Sequence, residues 1–338
     1  MERADLADRP SDAWPDRREV ILAIEPAVED HLDLLMPIDR AWQPSDYLPD
    51  LEADDWRDQL ERFRQTAAAI SDQLLVVLVG DMVTEEALPS YSVALNRLVR
   101  DHEGTSPAPW ARWLRGWSAE ENRHGDLLNA YLRLTGRVNM RSVETTIHHL
   151  IANGFNPQSQ SDPYGLLVYT AFQERATRIS HGNLGKIAGR EGDPHLERLC
   201  ARIASDEARH EAFYTRMMGQ VLERDPAGGI LAFRSMLRGP IAMPGRLMQD
   251  GCEPGLFDRF AIVAQRARVY TMRDYASIID HLVRIWNIPG RTVTGAAAQA
   301  QDDVCRQAER YVRLAGRMSA TLEKHPRVAF SWIHDRPA

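Results

Sequence analysis

Apolar residues recur along this chain at helical intervals and rarely at the two-residue interval of a strand. Between Arg17 and Met36, the positions Val20, Ile21, Ile24, Val28, Leu32 and Leu35 mark one face of a first helix, which Pro37 should end. Further helices are predicted at about 54–69, 71–100, 107–134, 140–152, 163–188, 194–223, 228–238, 256–267, 270–286 and 295–322. Ser106-Pro107, Asp162-Pro163 and Asp193-Pro194 offer caps and first turns, while Gly104, Gly136 and Gly192 stand in the breaks. Pro89 should kink the 71–100 helix about one turn beyond Glu85. Residues 41–49 read as a Pro-punctuated connector, and 328–333 as a short hairpin or extended cap. Residues 1–16, polar and containing proline, are expected to be loose ahead of a single domain over 17–338.

The 338 residues are 44% apolar and 26% charged, enough for one large core or two modest ones. A net charge of -7 argues against a general nucleic-acid binder. Cys200, Cys252 and Cys305 are too scattered for a disulfide framework or a thiolate metal site, which fits a reducing compartment. The start, Met1-Glu2-Arg3-Ala4-Asp5-Leu6, lacks the pattern of a secretory or transit segment, and no apolar run reaches bilayer length. The expectation is a cytoplasmic, bacterial-like protein with no membrane insertion, or a plastid-stroma protein if the chain is a trimmed plant form.

Two stretches carry the chemistry. Glu120-Glu121-Asn122-Arg123-His124 and Asp206-Glu207-Ala208-Arg209-His210 share one pattern: acidic, Glu, any residue, Arg, His. On a helix each places a Glu and a His on the same face, and that oxygen–nitrogen pair suits iron, manganese or zinc. With eleven histidines, roughly one Glu-x-x-His arises by chance, so the shared context carries the weight. Upstream of each copy, at nearly the same interval, a carboxylate lies in an apolar helix: Glu85 or Glu86 before the first, Glu174 before the second. A carboxylate there is costly unless paired or bound to a cation. The order Glu, Glu-x-x-His, Glu, Glu-x-x-His matches the all-α, ferritin-like di-iron carboxylate bundle, here with additional covering helices. Spacing alone leaves open Glu85 against Glu86, and Glu120 as a further candidate.

The segments Gly80-Asp81-Met82-Val83-Thr84-Glu85-Glu86-Ala87-Leu88-Pro89, Trp117-Ser118-Ala119-Glu120-Glu121-Asn122-Arg123-His124, Phe172-Gln173-Glu174-Arg175-Ala176-Thr177 and Asp206-Glu207-Ala208-Arg209-His210-Glu211 resemble the soluble acyl-acyl-carrier-protein desaturases of plant stearoyl type. The resemblance runs from about Arg17, through Trp42-Gln43-Pro44, to Phe330-Ser331-Trp332-Ile333. It implies a homodimer whose subunits each hold two ferrous ions on Glu85, Glu121, His124, Glu174, Glu207 and His210. It implies insertion of a cis double bond into an acyl chain on acyl carrier protein, with electrons from ferredoxin. Thr177 would pass protons to bound oxygen, and Trp42, Asp206 and His124 would lead electrons inward.

The sequence shows neither a flavin nor a nicotinamide fingerprint, so electrons must come from outside. Carrier and ferredoxin are both acidic, and a net-negative chain needs a local basic patch to receive them. Arg40 matches a basic position of the family, Met36 stands where plant members carry Lys, and Arg112 with Arg115 or Arg137 with Arg141 could add charge. Met82, Tyr91, Leu95, Pro157, Leu166 and Leu167 fall near positions that line the acyl chain in relatives, with Leu166 in place of a Gly and Leu167 in place of a Phe. A di-iron hydroxylase would share all six ligands. A ribonucleotide-reductase radical subunit would place Tyr where Leu128 stands, and an iron-storage protein needs only about half this length.

Overall fold

The computed structural model describes residues 14–99, 101–159, 162–252, 254–322 and 326–338. Helices dominate: α1 (Trp14–Ala23), α2 (Glu25–Glu29), α3 (Trp56–Ala67), α4 (Asp72–Glu85), α5 (Leu88–Val99), α6 (Pro109–Thr135), α7 (Met140–Asn153), α8 (Pro163–Glu191) and α9 (Pro194–Arg224) come first. Then follow α10 (Pro226–Met236), α11 (Leu256–Arg266), α12 (Met272–Ile285), α13 (Gly295–Leu322) and a terminal pair of two-residue strands, β1 (Ala329–Phe330) and β2 (Arg336–Pro337). The strands run antiparallel, with Ala329 opposite Pro337; the hairpin thus reaches beyond the 328–333 span expected for it, with a 3-10 turn at Ser331–Ile333 between its strands.

Aspartate-proline pairs start three consecutive helices. The Asp162, Asp193 and Asp225 carboxylates each accept an N–H of the first turn, ahead of Pro163, Pro194 and Pro226. Each proline supplies a helical φ where no N–H is needed. Asp193 is fully buried and also accepts from Tyr131 on α6, so one carboxylate fixes the α8–α9 turn and ties it to the bundle. Gly136 and Gly192 close α6 and α8 at φ of 67° and 105°, where a side chain would be strained.

Three boundaries differ from expectation. The predicted first helix is broken into α1, α2 and a 3-10 turn at Leu32–Leu34, because Pro26 in the first turn of α2 has no N–H to continue the ladder. Likewise the 71–100 helix is two helices: Pro89 sits in the first turn of α5, and the break falls directly after Glu85 rather than a turn later. α6 starts at Pro109 with Ala108 as its cap residue, and Ser106 instead accepts the Ala108 N–H. Of the segment expected to be loose, residues 1–13 lie outside the described residues, whereas Trp14–Asp16 already belong to α1.

Two apolar clusters build the core, and the bundle helices pass from one to the other. On α6, Trp110, Trp113 and Trp117 belong to the first cluster and Leu127, Leu128, Tyr131 and Leu132 to the second. α9 runs the opposite way, with Leu196 to Ile203 in the second and Phe213 to Leu222 in the first. Glu121 and His124, and Glu207 and His210, sit at the crossing. A charged layer is thus walled by hydrocarbon on both sides.

α11 crosses α4 at Gly80, where an added Cβ would lie 2.1 Å from the Phe260 ring. Gly80→Ala must displace that ring, and should cost about 1–3 kcal/mol, read as a lowered urea midpoint. An unchanged midpoint would mean that α11 shifts freely.

Candidate metal centre

α4, α6, α8 and α9 bring six side chains together. Ligand atoms of Glu85, Glu121, His124 and Glu207 lie within 4.8 Å of one another, and so do those of Glu121, Glu174, Glu207 and His210. Glu121 and Glu207 belong to both sets. Both imidazoles turn Nδ1 inward: His124 Nδ1 is 3.5 Å from Glu121 and 3.3 Å from Glu207, and His210 Nδ1 is 2.6 Å from Glu121 and 3.5 Å from Glu174. Five of the six residues are buried, and Glu85 exposes only 6% of its side chain.

Four carboxylates so close together repel one another, and burial raises the cost. Burial pushes the Glu85 carboxyl up to about 7 against its bond to His181, with Glu207 and Glu121 adding to the rise. Burial and then Glu121 lift Glu174 well above the usual carboxylate range. Burial opposes ionisation of Glu121 too, but the His124 and His210 imidazoles outweigh it and hold that carboxyl at about 2. Glu121 Oε1, Glu207 Oε1 and both inward Nδ1 atoms make no hydrogen bond of acceptable geometry. Buried donor atoms without hydrogen-bond partners, carrying excess negative charge, fit two divalent cations sharing two carboxylates.

Each outward nitrogen faces an acid of the other motif. Asp206 on α9 lies 3.6 Å from His124 Nε2 on α6, and Glu120 on α6 lies 2.9 Å from His210 Nε2 on α9. The leading acid of each motif therefore serves the histidine of the other copy, and fixes which nitrogen faces inward. Arg209 joins the two acids, at 2.8 Å from Asp206 and 2.9 Å from Glu120. The Met36 backbone N–H donates to Glu120 at 2.5 Å. Trp42 Nε1 donates to Asp206 at 2.7 Å, and its ring stacks on His124 with centroids 6.2 Å apart and planes 4° apart. Burial disfavours the Asp206 carboxylate, yet the neighbouring His124 imidazole and bonds from Arg209 and Trp42 hold its pKa far below normal.

Two cavities adjoin the cluster. A small one is lined by Glu85, Tyr91, Trp117, Glu121, Glu174, Thr177 and Glu207 among others. A larger one of about 170 Å³ shares Thr84, Glu85 and Thr177 with it, and extends between Met243, Phe257, Phe260, Tyr270 and Tyr275. Thr177 thus faces both, while its hydroxyl bonds the Gln173 and Glu174 carbonyls at 3.1 Å. Of the chain-lining candidates, Tyr91 reaches the small cavity; Met82, Leu95 and Leu167 are core residues of the apolar clusters, and Leu166 is buried.

The structure brings together all six expected ligand positions and sets the alternatives that spacing left open outside the cluster. Glu86 turns away toward Asn129 at 3.5 Å, and Glu120 backs a histidine from outside the cluster. Sequence reading missed His181, buried on α8, whose Nε2 is 2.8 Å from Glu85. Its place two turns after Glu174, on the ligand side of α8, was the available signal. Among the expected basic clusters, Arg112 pairs with Glu29, Arg115 with Asp101, and Arg137 with Asp72 and the Ala67 and Ile70 carbonyls. Internal partners therefore satisfy these arginines.

Comparison with known proteins agrees with this arrangement. The chain is 48% identical over 326 residues to stearoyl-[acyl-carrier-protein] 9-desaturase 5, chloroplastic, of Oryza sativa subsp. japonica, covering 95% of this chain and 84% of that protein. It is also 48% identical, over 95% of this chain and 82% of the relative, to the chloroplastic stearoyl-[acyl-carrier-protein] 9-desaturase of Brassica napus. An X-ray structure assigned as an acyl-ACP desaturase of Mycobacterium tuberculosis H37Rv superposes with a TM-score of 0.52 at 20% identity, over 84% of this chain and 99% of that one. The family model described as fatty acid desaturase matches residues 16–334. With its paired Glu-x-x-His motifs meeting around shared carboxylates, the chain belongs to the acyl-[acyl-carrier-protein] desaturases of the fatty acid desaturase family.

Proposed function

We propose that this protein is a ferredoxin-dependent acyl-[acyl-carrier-protein] desaturase that uses two ferrous ions and dioxygen to introduce a cis double bond into a carrier-tethered acyl chain. The observation that carries the reading is the pair of ligand sets sharing Glu121 and Glu207 beside an apolar cavity. Glu85, Glu121, His124 and Glu207 would hold one ion, and Glu121, Glu174, Glu207 and His210 the other. Bound iron supplies the activation of dioxygen that breaking an unactivated C–H bond requires.

The chain's own residues do the rest. Phe257, Phe260, Tyr270 and Met243 wall the larger cavity and offer an acyl chain few polar partners, so shape alone fixes which carbons lie near the cluster. The same walls keep water from the reacting carbons. Asp206 and Glu120 hold the imidazoles with Nδ1 inward. Thr177 stands where the two cavities meet, within reach for handing a proton toward the cluster. The continuous contact Trp42–Asp206–His124 supports an inward route for electrons. Relatives named as chloroplastic support a stromal setting, and the bacterial-like cytoplasm is the alternative. Among the described residues no single helix is long and apolar enough to cross a membrane. We assign a homodimeric working form by resemblance.

Anaerobic loading with Fe²⁺ should give two irons per chain, and oxygen uptake from reduced ferredoxin should rise sharply when acyl carrier protein bearing a chain is added. Rapid uptake that ignores the acyl carrier would contradict the proposal and favour an iron-oxidising role.

A further inference from the structure

Of the three buried histidines among the described residues, His181 alone stands outside both ligand sets. It lies on α8, with Nε2 at 2.8 Å from Glu85 Oε1. The other oxygen, Glu85 Oε2, is the one 3.9 Å from His124 Nδ1 inside the cluster. Glu85 thus has one neighbour within the cluster and one outside it.

Glu85 needs an outside hold more than its fellow ligands do. Glu121, Glu174 and Glu207 lie well inside α6, α8 and α9, whereas Glu85 is the last residue of α4, where the chain breaks before α5. Unpaired carbonyls at a helix C-terminus carry partial negative charge and repel a carboxylate. Two adjacent residues of α8 tie this end down. The Ser180 hydroxyl donates to Asp81 at 2.8 Å, one turn before Glu85, and His181 meets Glu85 itself. These bonds form neighbouring rungs between the end of α4 and α8.

The hold is not reciprocated. Glu174 fills in the second ligand set the place that Glu85 fills in the first, and His181 follows it by seven residues. Seven residues after Glu85 stands Ser92, past the break on α5 and 3.4 Å from Ser118. Within salt-bridge distance, among the described residues, Glu174 meets only His210, whereas Glu85 meets both His124 and His181. Glu85 and His181 also line the larger cavity, which Glu174 does not. A Glu85 carboxylate released from His181 has that cavity to turn into.

We propose that His181 is a positioning residue for one of the two metal positions: it holds Glu85 against the cluster, so that the ion on Glu85 and His124 depends on His181 and the ion on Glu174 and His210 does not. A carboxylate ligand only accepts, so Nε2 carries the proton of the bond. The inference rests on the two-ion reading above and deepens it by making the two positions unequal.

Anaerobic calorimetric titration of the metal-free protein with Fe²⁺ tests it. The wild type should take up two ions per chain. His181→Leu should keep one at wild-type affinity and bind the other about 10- to 100-fold more weakly, as removal of an outer partner does at other metal sites. His181→Gln, whose side-chain N–H reaches toward the place of Nε2, should restore most of that affinity. His181→Asn, polar but too short, should not, and it decides the matter if the leucine disturbs the fold seen by circular dichroism. In Glu85→Ala, where one ion remains, adding His181→Leu should shift its affinity by less than about twofold, because His181 acts through Glu85. Equal weakening of both ions, weakening of neither, or a further loss on top of Glu85→Ala would overturn the inference, while two ions on the wild type leave the desaturase reading standing. A wild type that takes up fewer than two ions removes both.

Discussion

Glu121→Ala should remove both metal ions and all turnover. Glu121 belongs to both ligand sets, at 3.5 Å from His124 and 2.6 Å from His210, so no ion keeps its full set without it. Glu85→Ala strips only one set and should leave one ion bound. A ligand lost at the centre should cost more than the about 10–100-fold typical of outer partners. The loss should also appear without catalysis. Fe²⁺ should raise the melting temperature of the wild type, because ions bind the folded cluster and quench its repulsion, and this rise should vanish in Glu121→Ala. Metal analysis and calorimetry decide it. Two irons and normal oxygen uptake in the variant would remove Glu121 from the site.

Asp206→Asn should leave the fold intact and lower iron affinity or turnover by about 10–100-fold. The carboxylate is fully buried, with Trp42 at 2.7 Å, Arg209 at 2.8 Å, His124 at 3.6 Å and Arg123 at 3.7 Å around it. The amide keeps the shape but loses the charge that orients and supports the imidazole. Trp42→Phe separates the two roles assigned to this corner. It should keep both irons and normal single turnover after chemical reduction, yet slow the reaction driven by ferredoxin. Equal rates with both reductants would reduce Trp42 to a packing residue.

Much of this centre was legible because metal chemistry imposes a spacing. Two Glu-x-x-His pairs and two upstream carboxylates had to lie on facing helices, and they do. Glu85 and Glu86 could not be separated by spacing, since the helix stops at Glu85 and a neighbour can still turn inward. In the fold Glu86 is set against Asn129. The cross-bundle service of Glu120 and Asp206 was half visible: both motifs begin with an acid, but which histidine each backs depends on how α6 and α9 pack. His181 was invisible as a partner of Glu85, because the contact joins α8 to α4 across the bundle. The surface was least legible. Arg112, Arg115 and Arg137 look free in sequence and are paired in the fold, whereas the arginines of α10 and α13 meet in a groove only after the helices pack. Charge along a chain states supply; only packing states what is left over.

The most direct test is mass spectrometry of acyl carrier proteins bearing several chain lengths, after incubation with the iron-loaded protein, reduced ferredoxin and dioxygen. Loss of two hydrogens from one of the acyl chains is the predicted result. Gain of one oxygen would make the protein a hydroxylase on the same bundle, and an unchanged mass on every carrier, in protein holding two irons, would contradict the desaturase account.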